Sequence, residues 1–405
     1  MSNDITMEQI NKLIPELRFP EFMYDGEWDN NILGKISDKI TTGKLDANAM
    51  SENGKYRFYT CAKNYYKINE YAFDTEALLI AGNGAYLGYI HYYKGKFNAY
   101  QRTYVLSDFS KDVVYLKYYL EKNLPARIAS EKKEGNTPYI VLSTIYEMTI
   151  LFPKTEKEQQ KIADCLTSLD ELITAHKDKL EVLKNHKKGL LQNLFPQEGQ
   201  KVPNYRFPEF VNDEEWEEQE LNILGKLING LTYSPDDIRK NGLLVLRSSN
   251  IQDGLIDLND SVFVRADIKG AHYSQPNDIL ICVRNGSKAL IGKNAIIPDG
   301  LPKSTHGAFM SVFRAENPSF AFQLFQTTSY EKQVNGDLGA TINSINGKNF
   351  LKYVFFIPKN PKEQKKIAET LSAVDNLIIA RTKKIEQLKI HKKGLMQGLF
   401  PKINA

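Results

Sequence analysis

The sequence predicts an α+β protein in which two globular mixed α/β domains are separated by two long antiparallel helices that form a coiled coil with a pseudo-twofold arrangement. The first observation behind this prediction is a repeat. Residues 154–196 return as residues 359–401, and about 25 of about 43 positions are identical without gaps. The second is periodicity. Apolar residues in both copies alternate in steps of four and three, the pattern of a helix that packs lengthwise against another helix.

A shorter repeat opens each half of the chain. The motif Arg-Phe-Pro-Glu-Phe occurs at residues 18–22 and again at 206–210, and Trp28 is answered by Trp216. The stretches between the repeats do not resemble each other. We therefore divide the chain into an N-terminal segment (1–17), a first variable domain (18–153), a long helix with its linker (154–204), a second variable domain (205–358) and a C-terminal long helix (359–405).

Composition places the chain among ordinary globular proteins. Its 405 residues are 42% hydrophobic and 25% charged, with a net charge of +4, which does not by itself indicate a nucleic-acid partner. We expect no contact with a membrane, because no apolar run approaches the ~18–20 residues of a span and the N-terminus lacks a signal-peptide pattern. Three widely separated cysteines argue for a reducing compartment, so the prediction is a cytoplasmic protein.

Both variable domains combine short strands with fewer helices. Apolar or β-branched runs next to turn signals predict strands at 76–80, 243–246, 279–283 and 353–357. Helices are expected at 113–120 and 321–330. This mixture favours an α+β arrangement over a doubly wound sheet.

The repeated blocks carry signals for the beginning and the end of a helix. Thr155 and Glu158 predict a capping box, and Asn360 and Glu363 predict the same reciprocal pair in the second copy. Both patterns end at a Leu-Phe-Pro sequence, because proline cannot continue a helix. Each helix is therefore expected to run the length of its block.

A line of apolar positions along each helix forms the predicted pairing seam. Cations occupy matching seam positions, His176 with Arg381 and Lys187 with Lys392, which would fix the register and favour antiparallel pairing. The alternative is that each helix only covers its own domain. The seam residues are Ile162, Leu166, Leu169, Ile173, Leu180, Leu183, Ile367, Leu371, Val374, Ile378, Ile385 and Leu388.

Motifs for catalysis are missing from the sequence. It contains no phosphate-binding loop of the Gly-x-x-x-x-Gly-Lys type, and residues 316–320 match the aromatic motif of amino-methyltransferases only poorly. Pro235-Asp236 is not followed by the spacing of a nuclease site. Six scattered histidines and three isolated cysteines offer no metal-ligand cluster. We predict no catalytic residue and no metal site.

Polar, cationic and aromatic residues interleave in several predicted loops. Arg, Asn, Gln and Ser are the side chains that read base edges, and Lys suits phosphates, so these loops are candidates for DNA contact. Much of the tyrosine in the first domain is expected to be packing instead. The candidates are Lys63, Asn83, Tyr86, Lys96, Asn98, Tyr100, Gln101, Arg102, Arg247, Ser248, Asn250, Arg284, Asn285, Ser287, Lys288, Lys293, Thr305 and His306.

A duplicated frame around two divergent domains resembles the specificity subunit of type I restriction–modification systems. The resemblance rests on the opening motif with its Trp and Leu-Gly-Lys, and on the Pro-Lys-(x)3-Glu-Gln sequence that begins each repeated block. Residues 276–281, 286–287 and 291–293 look like the family's target-recognition core. Residues 82–84 and 95–98 look like a different subclass of that domain.

The resemblance implies that each variable region is a target-recognition domain reading one half of a bipartite, asymmetric site on double-stranded DNA. The helices would act as a spacer and as the docking surface for two modification (methyltransferase) subunits, which restriction (motor-nuclease) subunits would join. S-adenosylmethionine, ATP and Mg²⁺ would sit on those partner subunits, and this chain would carry no cofactor. The alternatives are a coiled-coil scaffold with two protein-binding domains and, less favoured because of the missing motifs, a standalone DNA enzyme.

Overall fold

The computed structural model describes residues 13–131, 139–338 and 343–402. Residues 1–12 of the predicted N-terminal segment and residues 403–405 of the predicted C-terminal segment lie outside these ranges. The chain divides into two compact units. Unit 1 combines residues 1–177 with 383–405, and unit 2 comprises residues 178–382. Each unit therefore contains the beginning of one repeated block and the end of the other.

Unit 1 is built around a six-stranded sheet. The strands in chain order are β1 (Asp29–Ile32), β2 (Ser37–Thr42), β3 (Tyr56–Tyr59), β4 (Tyr66–Ile68), β5 (Phe73–Ala81), β6 (Ile90–Ala99), β7 (Thr103–Phe109) and β8 (Thr149–Phe152). The sheet has the order β2-β7-β5-β6-β3-β4, while β1 pairs with β8 as a separate antiparallel ribbon. Helices α1 (Val113–Glu131) and α2 (Leu142–Tyr146) separate β7 from β8. The strand predicted at 76–80 and the helix predicted at 113–120 are confirmed within β5 and α1.

Unit 2 has a different sheet plan. Its strands are β9 (Glu217–Glu220), β10 (Gly225–Asn229), β11 (Ile238–Arg239), β12 (Leu243–Leu246), β13 (Ile251–Gln252), β14 (Leu255–Ile256), β15 (Val262–Val264), β16 (Ile279–Cys282), β17 (Asn294–Ile296), β18 (Ser304–His306), β19 (Met310–Ala315) and β20 (Val354–Ile357). Two four-stranded sheets form, β10-β19-β16-β17 and β11-β15-β12-β18. The ribbon β9–β20 takes the place that β1–β8 has in unit 1.

The helices of unit 2 differ from prediction at one place. The structure has two helices, α4 (Pro318–Leu324) and α5 (Thr328–Asp337), where one helix is expected at 321–330, and a further short helix, α6 (Gly347–Phe350), follows them. The chain breaks at Thr327, whose hydroxyl accepts a hydrogen bond from the backbone N–H of Tyr330 at 3.3 Å and so caps a new helix. The prediction of a single helix is therefore wrong.

The two repeated blocks form long helices, α3 (Glu156–Leu194) and α7 (Pro361–Leu399), as their periodicity predicts. In unit 1, Ile162 and Leu166 near the start of α3 share a core with Leu399 and Phe400 at the end of α7. The same relation holds in unit 2 between the start of α7 and the end of α3. Each core thus uses both helices, which contradicts the alternative that a helix covers only its own domain.

Candidate nucleic-acid interface

A buried ion pair joins the opening motif to the start of the long helix in unit 1. Arg18 lies beside Glu158 with Nε–Oε1 and Nη2–Oε2 distances of 2.7 and 2.8 Å, and Trp28 Nε1 donates to the same carboxylate at 3.3 Å. The Arg18 and Glu158 side chains are 6% and 1% exposed. The hydrogen bond to Glu158 raises the pKa of the Arg18 guanidinium. Burial at this level requires that both charges stay paired.

Unit 2 repeats this arrangement with the second copy of each motif. Arg206 contacts Glu363 through Nε and Nη2, both at 2.8 Å, and Trp216 Nε1 donates to Glu363 at 3.2 Å. The phenylalanine of each Leu-Phe-Pro sequence closes the site from the opposite repeated block. Phe400 meets Trp28 edge to face at 6.4 Å, and Phe195 meets Trp216 at 6.3 Å. We call these two sets of residues the frame sites.

The frame sites correct the predicted capping boxes. The Thr155 hydroxyl does accept from the Glu158 backbone N–H at 3.3 Å, and the Asn360 side chain accepts from the Lys362 N–H at 3.0 Å. Glu158 and Glu363 do not return the bond to the cap residue, because their carboxylates are turned inward to Arg and Trp. Sequence reasoning identified all of these residues but missed their association, since nothing in the spacing links positions about 140 residues apart.

A second matched pair of ions lies farther along the helices. In unit 1, Lys392 Nζ lies 2.6 and 2.7 Å from the two oxygens of Asp170, which also accepts from Tyr118 Oη at 2.8 Å. In unit 2, Lys187 Nζ lies 2.6 Å from Asp375 Oδ1. Gln323 Nε2 donates to Asp375 at 2.7 Å.

In each unit this ion pair follows the apolar contacts in reversed order along the two helices. The predicted polar seam positions Lys187 and Lys392 therefore have carboxylate partners on the opposite helix. Of the predicted apolar seam residues, Leu169, Leu180, Leu183 and Ile378 are half-buried and the others are buried.

Three loops of unit 1 that carry candidate DNA-contacting residues lie side by side. The carbonyl of Arg102 accepts from the backbone N–H of Gly82 at 2.9 Å and from Cys61 Sγ at 3.4 Å. The Lys63 ammonium lies 5.3 Å from the centre of the Tyr86 ring. Lys63, Tyr86, Gln101 and Arg102 are exposed, and Asn83 and Tyr100 are half-buried. The loops 60–66, 82–89 and 100–102 thus form one surface, which we call surface 1.

Two candidates of the first domain fall outside surface 1. Lys96 lies over the Tyr71 ring at 4.6 Å and pairs with Asp74 near the beginning of β5, whereas surface 1 follows the end of that strand. Asn98 is 5% exposed, and its side chain donates to the Glu70 carbonyl and accepts from the Ala99 N–H. The Asn98 side chain is therefore used inside the domain, and its contact with DNA stays a prediction.

A comparable surface lies where β12, β16 and β18 end in unit 2. Asn285 Nδ2 donates to Ser248 Oγ at 3.2 Å, joining two candidate loops, and the Arg284 guanidinium lies 5.9 Å from the centre of the Phe309 ring. Arg247 contacts Asp260 at 2.8 Å. Arg284, Ser287 and Lys288 are exposed, while Arg247, Ser248, Asn285 and Lys293 are half-buried. We call this surface 2. Sequence reasoning missed Phe309, which is 56% exposed and directly beside Arg284.

Three further candidates in unit 2 support the domain from inside. Asn250 is buried and holds its loop by accepting from the Arg247 N–H and donating to the carbonyls of Asp257 and Asp260. Thr305 donates to the His272 carbonyl at 2.8 Å. His306 contacts the Ile228 carbonyl through Nε2 at 3.0 Å, and burial lowers its pKa. All three side chains are buried and engaged inside the domain, and their contact with DNA stays a prediction.

Across residues 13–131, 139–338 and 343–402, no group of His, Cys, Asp and Glu residues is placed to hold a metal ion. Within those same ranges, no helix has the length and apolarity to cross a membrane.

The chain was compared with known proteins. A family model described as the type I restriction modification DNA specificity domain matches residues 25–185 and 213–389. The specificity subunit of the type I restriction enzyme EcoDI from Escherichia coli is 34% identical over 234 residues, which is 51% of this chain and 52% of that protein. The chain thus spans about half the length of this curated relative.

Two solved structures show the same fold. The S subunit of the type I restriction-modification system of M. genitalium aligns with a TM-score of 0.68 at 15% identity, covering 96% of this chain and 100% of that one. A structure from a study of complex assembly in the type I R-M system aligns with a TM-score of 0.52 at 15% identity, covering 92% and 97%. Because both matched segments of the family model together span most of the chain, the protein belongs to the type I restriction-modification DNA specificity family.

Proposed function

We propose that this chain selects the DNA sequence for a type I restriction–modification complex without performing chemistry itself. The observation that carries the proposal is that the same frame is built twice around different sheets. Arg18, Glu158 and Trp28 recur as Arg206, Glu363 and Trp216, while the domains that they hold share neither sheet order nor loop sequence. Repeated anchoring contacts around two different variable domains suit a protein in which each domain recognises an unrelated DNA half-site.

Each variable domain would read one half of a bipartite, asymmetric site on double-stranded DNA. Surface 1 and surface 2 would supply the side chains for this purpose, because Arg, Asn, Gln and Ser can hydrogen-bond base edges. The helices α3 and α7 would form an antiparallel coiled coil that sets the gap between the half-sites. Their outer faces would dock two methyltransferase subunits, which restriction subunits join. S-adenosylmethionine, ATP and Mg²⁺ would belong to those partners, and the complex would act in the cytoplasm.

A domain exchange tests the assignment of half-sites. Residues 36–148, which lie between the frame contacts of unit 1, are replaced by the corresponding stretch of another family member, and the complex is assembled with its methyltransferase subunits. We expect methylated-adenine sequencing to show a change in one half-site and none in the other. The reciprocal exchange of residues 226–353 is the matched control and should change only the second half-site. A change in both half-sites, or in neither, would contradict the proposal.

Crosslinking tests the antiparallel coiled coil. In a background with Cys61, Cys165 and Cys282 replaced by Ser, cysteines are introduced as D170C with K392C, and a short bismaleimide is added. We expect an efficient intramolecular crosslink, since the native side chains of this pair touch. The control pair D170C with D375C joins equivalent positions of the two helices and should not crosslink. Crosslinking of the control pair alone would mean parallel helices.

A further inference from the structure

A lysine-rich cleft lies in unit 1 outside the candidate loops. It has a volume of about 430 Å³ and is bounded by α1, the first half of α3 and the end of α7. Five lysines and two carboxylates, Glu121 and Asp170, line it together with apolar side chains. Such an excess of positive charge in one concave place attracts an anion.

The two carboxylates offset only part of the positive charge of the lining. Asp170 is bound at 2.6 Å by Lys392 of the same lining, and Glu121 lies 3.0 Å from the Lys117 ammonium outside it. Lys389 of the lining lies 2.6 Å from Glu386. Lys177 and Lys393 reach the cleft from α3 and α7 and are exposed. The lining therefore keeps the exposed ammonium groups of Lys177 and Lys393 for a ligand that enters the cleft.

The loop of surface 1 that carries Tyr86 lies against α1, one of the helices that bound the cleft. The backbone N–H of Tyr89 donates to the Tyr86 carbonyl at 2.9 Å, so Tyr89 belongs to the loop that carries Tyr86. Burial raises the pKa of Tyr89, and the nearby carboxylates of Glu121 and Asp170 raise it further. Gly88 of the same loop faces Ile128 of α1.

We propose that this cleft binds the sugar-phosphate backbone of the DNA whose bases surface 1 reads. The proposal rests on the proposed function and adds a contact made by the repeated helices themselves, independent of base sequence. A duplex that extends beyond the tyrosine-bearing loop would meet Lys177 and Lys393. Lysine suits this role because its ammonium pairs with phosphate as a point charge and selects no base. The target is continuous duplex DNA.

The test compares two double variants in the complex with methyltransferase subunits. K177Q/K393Q removes two charges from the cleft. K179Q/K384Q removes two charges from the opposite faces of the same helices, since steps of two and nine residues rotate a helical position by about 200° and about 180°. All four lysines are exposed. DNA dissociation constants are measured for a cognate and a scrambled duplex between about 50 and 200 mM salt, the range in which phosphate contacts are resolved.

We expect K177Q/K393Q to weaken binding of both duplexes by about tenfold or more and to reduce the slope of log K against log salt by about 2, whereas the control leaves both quantities unchanged. K177R/K393R should restore binding. Equal slopes for the two Gln variants would overturn the cleft proposal. Loss of subunit assembly in K177Q/K393Q, measured by light scattering, would also overturn it and mark the cleft as a protein interface. A wild-type complex that binds both duplexes equally would instead contradict the proposed function.

Discussion

Unit 1 and unit 2 differ in the number and order of their strands but share the contacts that anchor them to the long helices. Unit 1 has one six-stranded sheet, and unit 2 has two four-stranded sheets. Both bury the same Arg–Glu–Trp cluster, and both place a lysine against an aspartate of the other helix. Even the exposed ion pair beside the frame recurs, Lys161 with Glu21 and Lys366 with Glu209. The comparison teaches that duplication preserved an attachment and left the attached domain free to change.

The repeated aspartate of the long helices, Asp170 in unit 1 and Asp375 in unit 2, marks the boundary between the repeated contacts and the variable domain. Asp170 accepts a hydrogen bond from a phenol, Tyr118, whereas the equivalent Asp375 accepts one from an amide, Gln323. Both donors belong to a helix of the variable domain, α1 or α4. The repeated aspartate therefore keeps its lysine partner on the opposite helix and takes whatever donor the variable domain supplies.

The largest expected effect comes from breaking a frame site. In R18M the Glu158 carboxylate, 1% exposed, loses its guanidinium, and removing one member of a buried pair costs about 3–5 kcal/mol. R206M should cost unit 2 a similar amount. The free energy of unfolding of each unit is measured by hydrogen exchange of its core amides. The matched controls K161M and K366M break exposed pairs and should cost at most about 1 kcal/mol. Equal costs for R18M and K161M would show that the frame site is not the anchor.

The second prediction tests whether surface 1 and surface 2 each recognise a different half-site. R102A removes an exposed guanidinium from surface 1, and R284A removes one from surface 2. If each arginine reads a base, each change relaxes one half-site and costs about 1–3 kcal/mol in discrimination at one position. The measurement is binding of the complex to duplexes with single substitutions in either half-site. K96A is the control, since Lys96 is exposed but lies apart from surface 1. If one variant lowered base discrimination in both half-sites, the assignment of one half-site to each surface would be contradicted.

The third prediction compares the two inter-helix ion pairs. In K392M, Asp170 keeps a second cation, Lys117 at 3.8 Å, whereas in K187M the described neighbour of Asp375 is the neutral amide of Gln323. We therefore expect K187M to lower the free energy of unfolding of its unit by about 1–2 kcal/mol and K392M by less. The charge exchange K187D/D375K should recover part of the loss. A larger loss in K392M would show that the Lys117 contact does not compensate.

Sequence reasoning succeeded where a property repeats along the chain and failed where it depends on a distant partner. The periodicity of residues 154–196 and 359–401 predicted both long helices because every turn contributes the same signal. The caps at Glu158 and Glu363 were assigned from local spacing, yet each carboxylate is taken by an arginine far away in the chain. Among the loop candidates, polarity identified Arg102 and Arg284 on exposed surfaces. It could not distinguish them from Asn250, a polar side chain that instead satisfies buried backbone groups.

The smallest expected effect is on stability in mild acid. It involves histidines of the variable domains and not the frame sites. Burial lowers the pKa of His306 in unit 2 and of His91 in unit 1, whose Nε2 contacts the Ala62 carbonyl at 2.8 Å. A histidine whose pKa is lower in the folded state binds protons preferentially when unfolded. Stability is therefore fully present above the unfolded pKa of about 6.5 and falls as the pH drops below it.

We expect hydrogen exchange to show that both units lose stability between about pH 7 and pH 5, in the window set by these two pKa shifts. H306N and H91N should each flatten this dependence in one unit only. H272N is the control, since His272 is exposed on a loop of unit 2. The two histidines do not occupy equivalent positions of the repeat, so each variable domain would have acquired its acid sensitivity separately. If H306N flattened the pH dependence of stability in unit 1, the two units would not unfold independently. The distinction between repeated anchoring contacts and separate variable domains would then fail.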